Sequence, residues 1–276
     1  MRKKSLIKSV ICLAAAGVML LGGAALAADK ISISGSTTVL PIAQKAAEVY
    51  MKTNPGAAEI SVSGTGSGDG LKALVEGSID IADSSRAAKD KEIKRADEKG
   101  VKLVKHVVAL DCIVPVVNPA NKVTGLTKAQ IKDIYTGAIK NWSEVGGDDG
   151  PIVVISRDSS SGTFEVWNEL VLHKERVRPD AQLQASNGAV AQAVASNKYA
   201  IGYVGIGYLS KDLKGLTVDG VAASSDAARD KSYPVSRELY MYTNGEPTGA
   251  VKAFIDFVMG AEGQKIAGEE GFVPVR

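Results

Sequence analysis

The chain has 276 residues, with 33 basic and 31 acidic side chains and a formal charge of +2. Four of the basic residues (Arg2, Lys3, Lys4 and Lys8) fall in the first 27 positions, which hold no acid, so the remainder carries 29 basic against 31 acidic groups, near −2. That balance excludes a broad basic footprint, so no nucleic-acid partner is expected and any anion must be held locally.

The chain opens with a basic stretch, an apolar run over residues 10–27 and an Ala-Leu-Ala end, the pattern of a secretory signal peptide cleaved after Ala27. The high Gly and Ala content argues against a membrane anchor. Cys12 precedes most of the apolar run and is badly placed to carry a lipid. A soluble exported protein is expected, with residues 1–27 removed. One cysteine, Cys112, then remains, so no internal disulfide forms, and its apolar setting predicts a buried small hydrophobe. About 250 residues suffice for two compact lobes.

Short strand patterns then alternate with helical ones. Residues 31–34 lead into a helix with Val39, Ile42, Ala46 and Val49 on one face, where Pro41 is tolerable in the first turn. Residues 59–63 lead through a glycine loop into the helix LKALVEG, with Gly77 as its stop. A strand over 79–82 follows, and the charged run 89–100 reads as a solvated helix face with no further role. Residues 104–121 form a long apolar β segment interrupted by Pro115. Thr127 and Gln130 have capping-box spacing ahead of a short helix. The strand 152–156 delivers SRDSSSGTFEVW, with a helix from Phe164 bearing Trp167, Val171 and Leu172 on one side. A helix capped at Asn187, a glycine-containing strand near 200–209, a strand over 233–243 and a C-terminal amphipathic helix complete the chain. This alternation predicts an α/β fold with largely parallel sheets. The segments 110–118 and 233–243 are the expected crossings between lobes.

Three places share one design, in which a strand ends, small hydroxyl or glycine residues follow, and a helix begins. They are GSTT (35–38), GTGSGDG (64–70) and SSSGT (159–163). A helix N-terminus leaves N–H groups unpaired and carries partial positive charge, glycine permits close approach, and Ser or Thr adds a donor. Singly, each loop is better explained by ordinary capping. Together, at one end of parallel units, they describe a cage for a small tetrahedral anion, with Arg157 as the fixed guanidinium. The alternative for Arg157 is a surface pair with Asp158. The glycine loop lacks the Lys-Ser/Thr of a nucleotide P-loop. The two histidines, His106 in an apolar strand and His173 at a helix end, belong to no hydrolase or zinc motif, so binding is favoured over catalysis. No cofactor or metal is expected.

The three loops, in this order behind a signal peptide, together with VVNPANKVTGLTKAQIKDIYTGAIKNWSEVGG and YPVSRELYMYT, resemble the phosphate-binding proteins of bacterial phosphate-specific ABC transporters. The resemblance implies a type II periplasmic-binding-protein fold of two α/β lobes joined by two crossing strands. It places lobe 1 over 28–112, lobe 2 over 113–234 and a return to lobe 1 over 235–276. It implies a monomeric periplasmic protein that is not an enzyme and that passes inorganic phosphate to a membrane ABC permease. Carried over by position, Thr37, Thr38 and Ser67 hold the anion from lobe 1, and Arg157, Ser161, Gly162 and Thr163 from lobe 2.

One position departs from that pattern. Many members carry an aspartate where this chain has Ser85, and that aspartate accepts the ligand's own P–OH. Ser85 is expected to take that place as a neutral acceptor, with Asp69, Asp83 or Asp158 as substitutes. Arg86 is either a second cation or a surface residue. Ser159 also stands where an aspartate is common. These departures leave open a binder of sulfate or another tetrahedral oxyanion. From a different class, an exported serine phosphohydrolase or esterase using Ser161 or Ser67 is the alternative.

Overall fold

The computed structural model describes residues 28–275; the expected signal peptide lies outside them. In lobe 1, β1 (Asp29–Gly35), β2 (Ala58–Gly64) and β3 (Ile81–Ser84) are parallel neighbours in the order β2-β1-β3. They are joined by α1 (Leu40–Thr53) and α2 (Ser67–Val75), and α3 (Asp90–Glu98) follows β3. Pro41 sits in the first turn of α1, where its missing N–H breaks no bond. The helix α2 begins at Ser67, earlier than the apolar pattern indicated, because the glycine loop itself winds into the first turn. Gly77 follows it at φ +69°, a left-handed conformation that suits glycine and stops the helix.

From there β4 (Leu103–Val117) runs unbroken through both lobes. Pro115 does not interrupt it: the residue stays in register opposite Tyr203, and its carbonyl accepts from Leu216 N–H. Lobe 2 comprises β5 (Gly125–Leu126), α4 (Lys128–Thr136), β6 (Val153–Arg157), α5 (Gly162–Leu170), β7 (Gln182–Gln184), α6 (Asn187–Ala195), β8 (Ala200–Gly205), β9 (Lys214–Gly215), β10 (Thr217–Val218) and α7 (Ser225–Arg229). The Thr127 and Gln130 capping box forms as expected. The chain returns through β11 (Ser236–Asn244), and α8 (Gly249–Met259) and α9 (Ala261–Glu269) pack onto lobe 1.

The sheet order is β2-β1-β3-β11-β4-β8-β6-β7, with β9 beside β4. Parallel units flank a centre where β11 runs antiparallel to β3 and β4, and β4 antiparallel to β8. β4 and β11 are the crossings, with Arg237 opposite Asp111 in register. The main lobe-1 core gathers Ile31, Ile42, Ala46, Leu239 and Phe254, and the lobe-2 core Ile113, Tyr135, Trp142, Trp167 and Tyr203. Trp167 stacks on Tyr203 with centroids 4.5 Å apart and ring planes 14° from parallel. Cys112 is fully buried, and burial pushes its thiol up to about 12.

Candidate functional site

All three hydroxyl-glycine loops meet where the lobes face each other. Each follows a strand whose carboxyl end points into the cleft, the place where α/β sheets hold ligands. In the first loop, Ser36 Oγ accepts from the N–H groups of Thr38 and Val39, which frees the Thr37 and Thr38 side chains from capping. In the third, Ser161 caps α5, accepting from Phe164 N–H at 3.1 Å. The N–H groups of Gly162 and Thr163 in the first turn of α5 have no partner within the helix.

Side chains from both lobes converge here, all buried. Thr38 Oγ1 lies 2.9 Å from Thr163 Oγ1 across the cleft. Ser85 N–H donates to Ser67 Oγ at 3.1 Å, and the two hydroxyls are 3.3 Å apart. Gly162 presses against this pair: a Cβ there would lie 2.4 Å from Ser67 Oγ and 2.8 Å from Ser85 Oγ, so only glycine fits the closed arrangement. The lobes also join at Gly68 N–H to Ser160 O, 3.0 Å, and at Ser160 Oγ to Thr65 O, 3.3 Å.

Arg157 is 2 % exposed. Its Nε donates to Gln184 O at 2.9 Å and one Nη to Ala185 O at 3.0 Å, while Nη1 is buried with no hydrogen-bond partner among the described residues. Asp158 does not pair with it; that carboxylate accepts instead from Ser160 N–H at 2.8 Å and from the Ser160 hydroxyl. Burial lowers the Arg157 guanidinium from its ordinary value, and the nearby Arg237 charge acts in the same direction. It remains a cation.

Three participants escaped sequence reasoning. Arg237, on β11, donates through Nε to Asp111 Oδ2 at 2.8 Å, and its Nη2 lies 2.7 Å from the same oxygen. It also donates to Ser85 O at 3.1 Å and to the hydroxyls of Thr38 and Thr163 at 3.2 Å each. A single guanidinium on a crossing strand thus touches both lobes. Burial raises the Asp111 carboxyl, opposed by Arg237 and by the backbone N–H groups of Ile206 and Cys112. Asn187, expected as a helix cap, is the first residue of α6; Ser186 is the cap. The Asn187 side chain instead donates to Thr37 Oγ1 and Thr38 Oγ1, both at 3.0 Å. The available signal was opposite charges embedded in the two apolar crossing segments, at Asp111 and Arg237.

Arg86 is neither a free second cation nor a surface residue. It is buried, forms a two-pronged pair with Glu92 at 2.8 Å on each arm, and its Nε contacts the Glu165 carboxylate across the cleft. Lys89 adds a 2.7 Å contact to Glu165. The charged run is therefore more than a solvated face. Burial alone would raise the Glu92 carboxyl, but the Arg86 hydrogen bond, the Lys89 N–H and both positive charges hold it below its ordinary value. Asp83 is fully buried with both oxygens unpartnered among the described residues, and burial raises its carboxyl well above the usual range.

The family model of the PBP superfamily domain matches residues 22–262. The phosphate-binding protein PstS of Bacillus subtilis is 36% identical over 251 residues, covering 90% of this chain and 82% of the relative. The chain belongs to the phosphate-binding proteins of the PBP superfamily. A structure from Clostridium perfringens, described as a phosphate ABC transporter substrate-binding protein with bound phosphate, superposes with a TM-score of 0.84 at 37% identity, covering 90% of this chain and all of that one. An ABC-type phosphate transport receptor from Vibrio cholerae superposes with a TM-score of 0.72 at 32% identity, covering 88% and 99%. The fold is the type II periplasmic-binding-protein fold expected from the sequence, and the family is one of binding proteins, not enzymes.

Proposed function

We propose that this chain is a periplasmic solute-binding protein that captures inorganic phosphate between lobe 1 (28–112 with the return 235–276) and lobe 2 (113–234), and delivers it as a monomer to an ABC permease. Thr37, Thr38, Ser67, Ser85, Arg157, Ser161, Gly162 and Thr163 form the cage. The observation that carries this reading is Arg157: a buried guanidinium at the end of the strand that leads into the third loop, held by two backbone carbonyls, with Nη1 unpaired among the described residues. A buried guanidinium arm without a partner is costly, and an anion in the cleft supplies one. Closure replaces the ligand's hydration shell with preorganised donors.

The acceptor for a ligand P–OH is Ser85 Oγ. Ser67 Oγ already accepts from Ser85 N–H, Asp158 is spent on Ser160, and Asp111 is engaged by Arg237 and Ile206 N–H. Asp83 shares its sheet face with Ile81, whose side chain packs in the lobe-1 core. A hydrolase reading fares worse. Ser161 caps the start of α5, whereas His173 lies beyond that helix's other end and His106 bonds Thr243.

Calorimetric titration of the ligand-stripped protein with phosphate tests the proposal. Arg157→Ala is expected to keep the fold and weaken binding at least about tenfold, the loss of a hydrogen bond to a charged group. Unchanged affinity in the folded variant removes Arg157 from the site.

A further inference from the structure

Asn187 sits in lobe 2, yet its buried side chain docks on lobe 1. Gly205 N–H donates to its Oδ1 at 3.2 Å, which fixes the orientation of the amide. Its Nδ2 has two hydrogens and meets two acceptors, the hydroxyls of Thr37 and Thr38. The Asn187 backbone N–H is a second donor to Thr37 Oγ1 at 3.3 Å, and Arg237 Nη2 is a second donor to Thr38 Oγ1. A hydroxyl has two lone pairs and one proton. With both lone pairs engaged, each threonine can only donate. The Thr38 proton faces Thr163 Oγ1, which also receives Arg237 Nη2 and so turns its own proton outward.

Resting on the reading of this cleft as the phosphate site, we infer that Asn187 is a positioning residue that sets ligand specificity. When the lobes close, its amide locks Thr37, and through Thr38 also Thr163, as hydrogen-bond donors. The cage is thereby tuned to the less protonated, more highly charged form of the anion. The interaction exists only when the lobes meet, so ligand recognition and closure share one side chain.

The test is phosphate affinity by calorimetry at pH 5.5 and pH 8 for the wild type, Asn187→Ala, Thr37→Val and the double variant. The wild type is expected to bind tighter at pH 8. Asn187→Ala is expected to lose roughly tenfold at pH 8 but less than about threefold at pH 5.5, because released hydroxyls can turn to accept a ligand proton. The two substitutions are expected to be non-additive, since Asn187 acts through Thr37. Equal weakening at both pH values, or additive effects, would overturn the inference and leave the phosphate reading standing. A wild type that binds no phosphate at either pH overturns both. Asn187→Asp covers a failure of the alanine variant to fold: it keeps the acceptor for Gly205 N–H, and an acid is favourable in a helix's first turn. It is expected to lose more than about a hundredfold at pH 8, with partial recovery at pH 5.5, since its carboxylate draws the hydroxyl protons away from the ligand. Retained affinity at pH 8 contradicts the assignment.

Discussion

Glu165→Gln tests whether the lobes are latched outside the cage. Glu165 projects from α5 onto Arg86 and Lys89 of lobe 1. In the variant Arg86 keeps both bonds to Glu92, so lobe 1 retains its own structure. The side chains of Arg86 and Glu165 are 6% and 17% exposed. A hydrogen bond to a charged group in such a setting contributes about 1.5–3 kcal/mol. Lys89 is 40% exposed, so solvent screening reduces its arm to about 0–1 kcal/mol. The amide preserves part of the contact, leaving a loss of about 1.5 kcal/mol borne by the closed state, roughly tenfold in the open–closed equilibrium. Because apparent affinity scales with the closed fraction wherever closure is unfavourable without ligand, the phosphate Kd is expected to weaken by up to about tenfold. Small-angle scattering should show a more open ligand-free ensemble, with thermal stability nearly unchanged. Wild-type affinity and an unaltered scattering profile in the folded variant would refute the latch, showing that the contact forms without biasing closure.

Gly162→Ala places a methyl against the Ser67 and Ser85 hydroxyls; calorimetry should show at least about a tenfold loss of phosphate affinity while the ligand-free melting temperature holds, since the clash arises only when the lobes meet. Asp83→Asn should stabilise the protein at neutral pH. A carboxyl raised in the folded state contributes stability below its unfolded value near 3.8 and loses it as pH rises, so the variant's thermal advantage at pH 7 should shrink toward pH 4. A constant difference across that range refutes the account. Sulfate should compete measurably with phosphate: a neutral acceptor at Ser85 distinguishes the ligand proton by only about 0.5–1.5 kcal/mol, roughly two- to tenfold, whereas a ratio above about ten-thousandfold would require a carboxylate in contact with the ligand.

The parts of this site that could be read from the chain are those encoded locally. A strand followed by small hydroxyls and a helix start is a pattern within a dozen residues, so the loops at Thr37, Ser67 and Ser161 were legible, as were the Thr127 cap and the Gly77 stop. The parts that were not legible depend on register between distant strands. Asp111 and Arg237 are 126 positions apart and become partners only because β4 and β11 pair at that offset. Asn187 reads as a cap because asparagine is common at helix starts, and only the closed lobes bring it 150 positions back to Thr37. Arg86 and Glu165 are the same kind of case, 79 positions apart in the sequence and paired only because the two lobes meet. Pro115 misled in the opposite sense, because a local rule against proline in strands was overridden by pairing on both sides of it.

This division has a physical consequence. In the proposed site the locally encoded groups are the donors that approach the ligand, and each loop presents them whether or not the lobes meet. The long-range groups decide what those donors do. Asp111 holds Arg237 in place, Arg237 and Asn187 occupy the lone pairs of Thr38, and Arg86 ties α5 to lobe 1. Every one of these bonds involves a crossing strand or spans the cleft. Substitutions in the loops should therefore weaken the anion contacts directly, while substitutions in the long-range set should change which protonation state is bound and how far the lobes close.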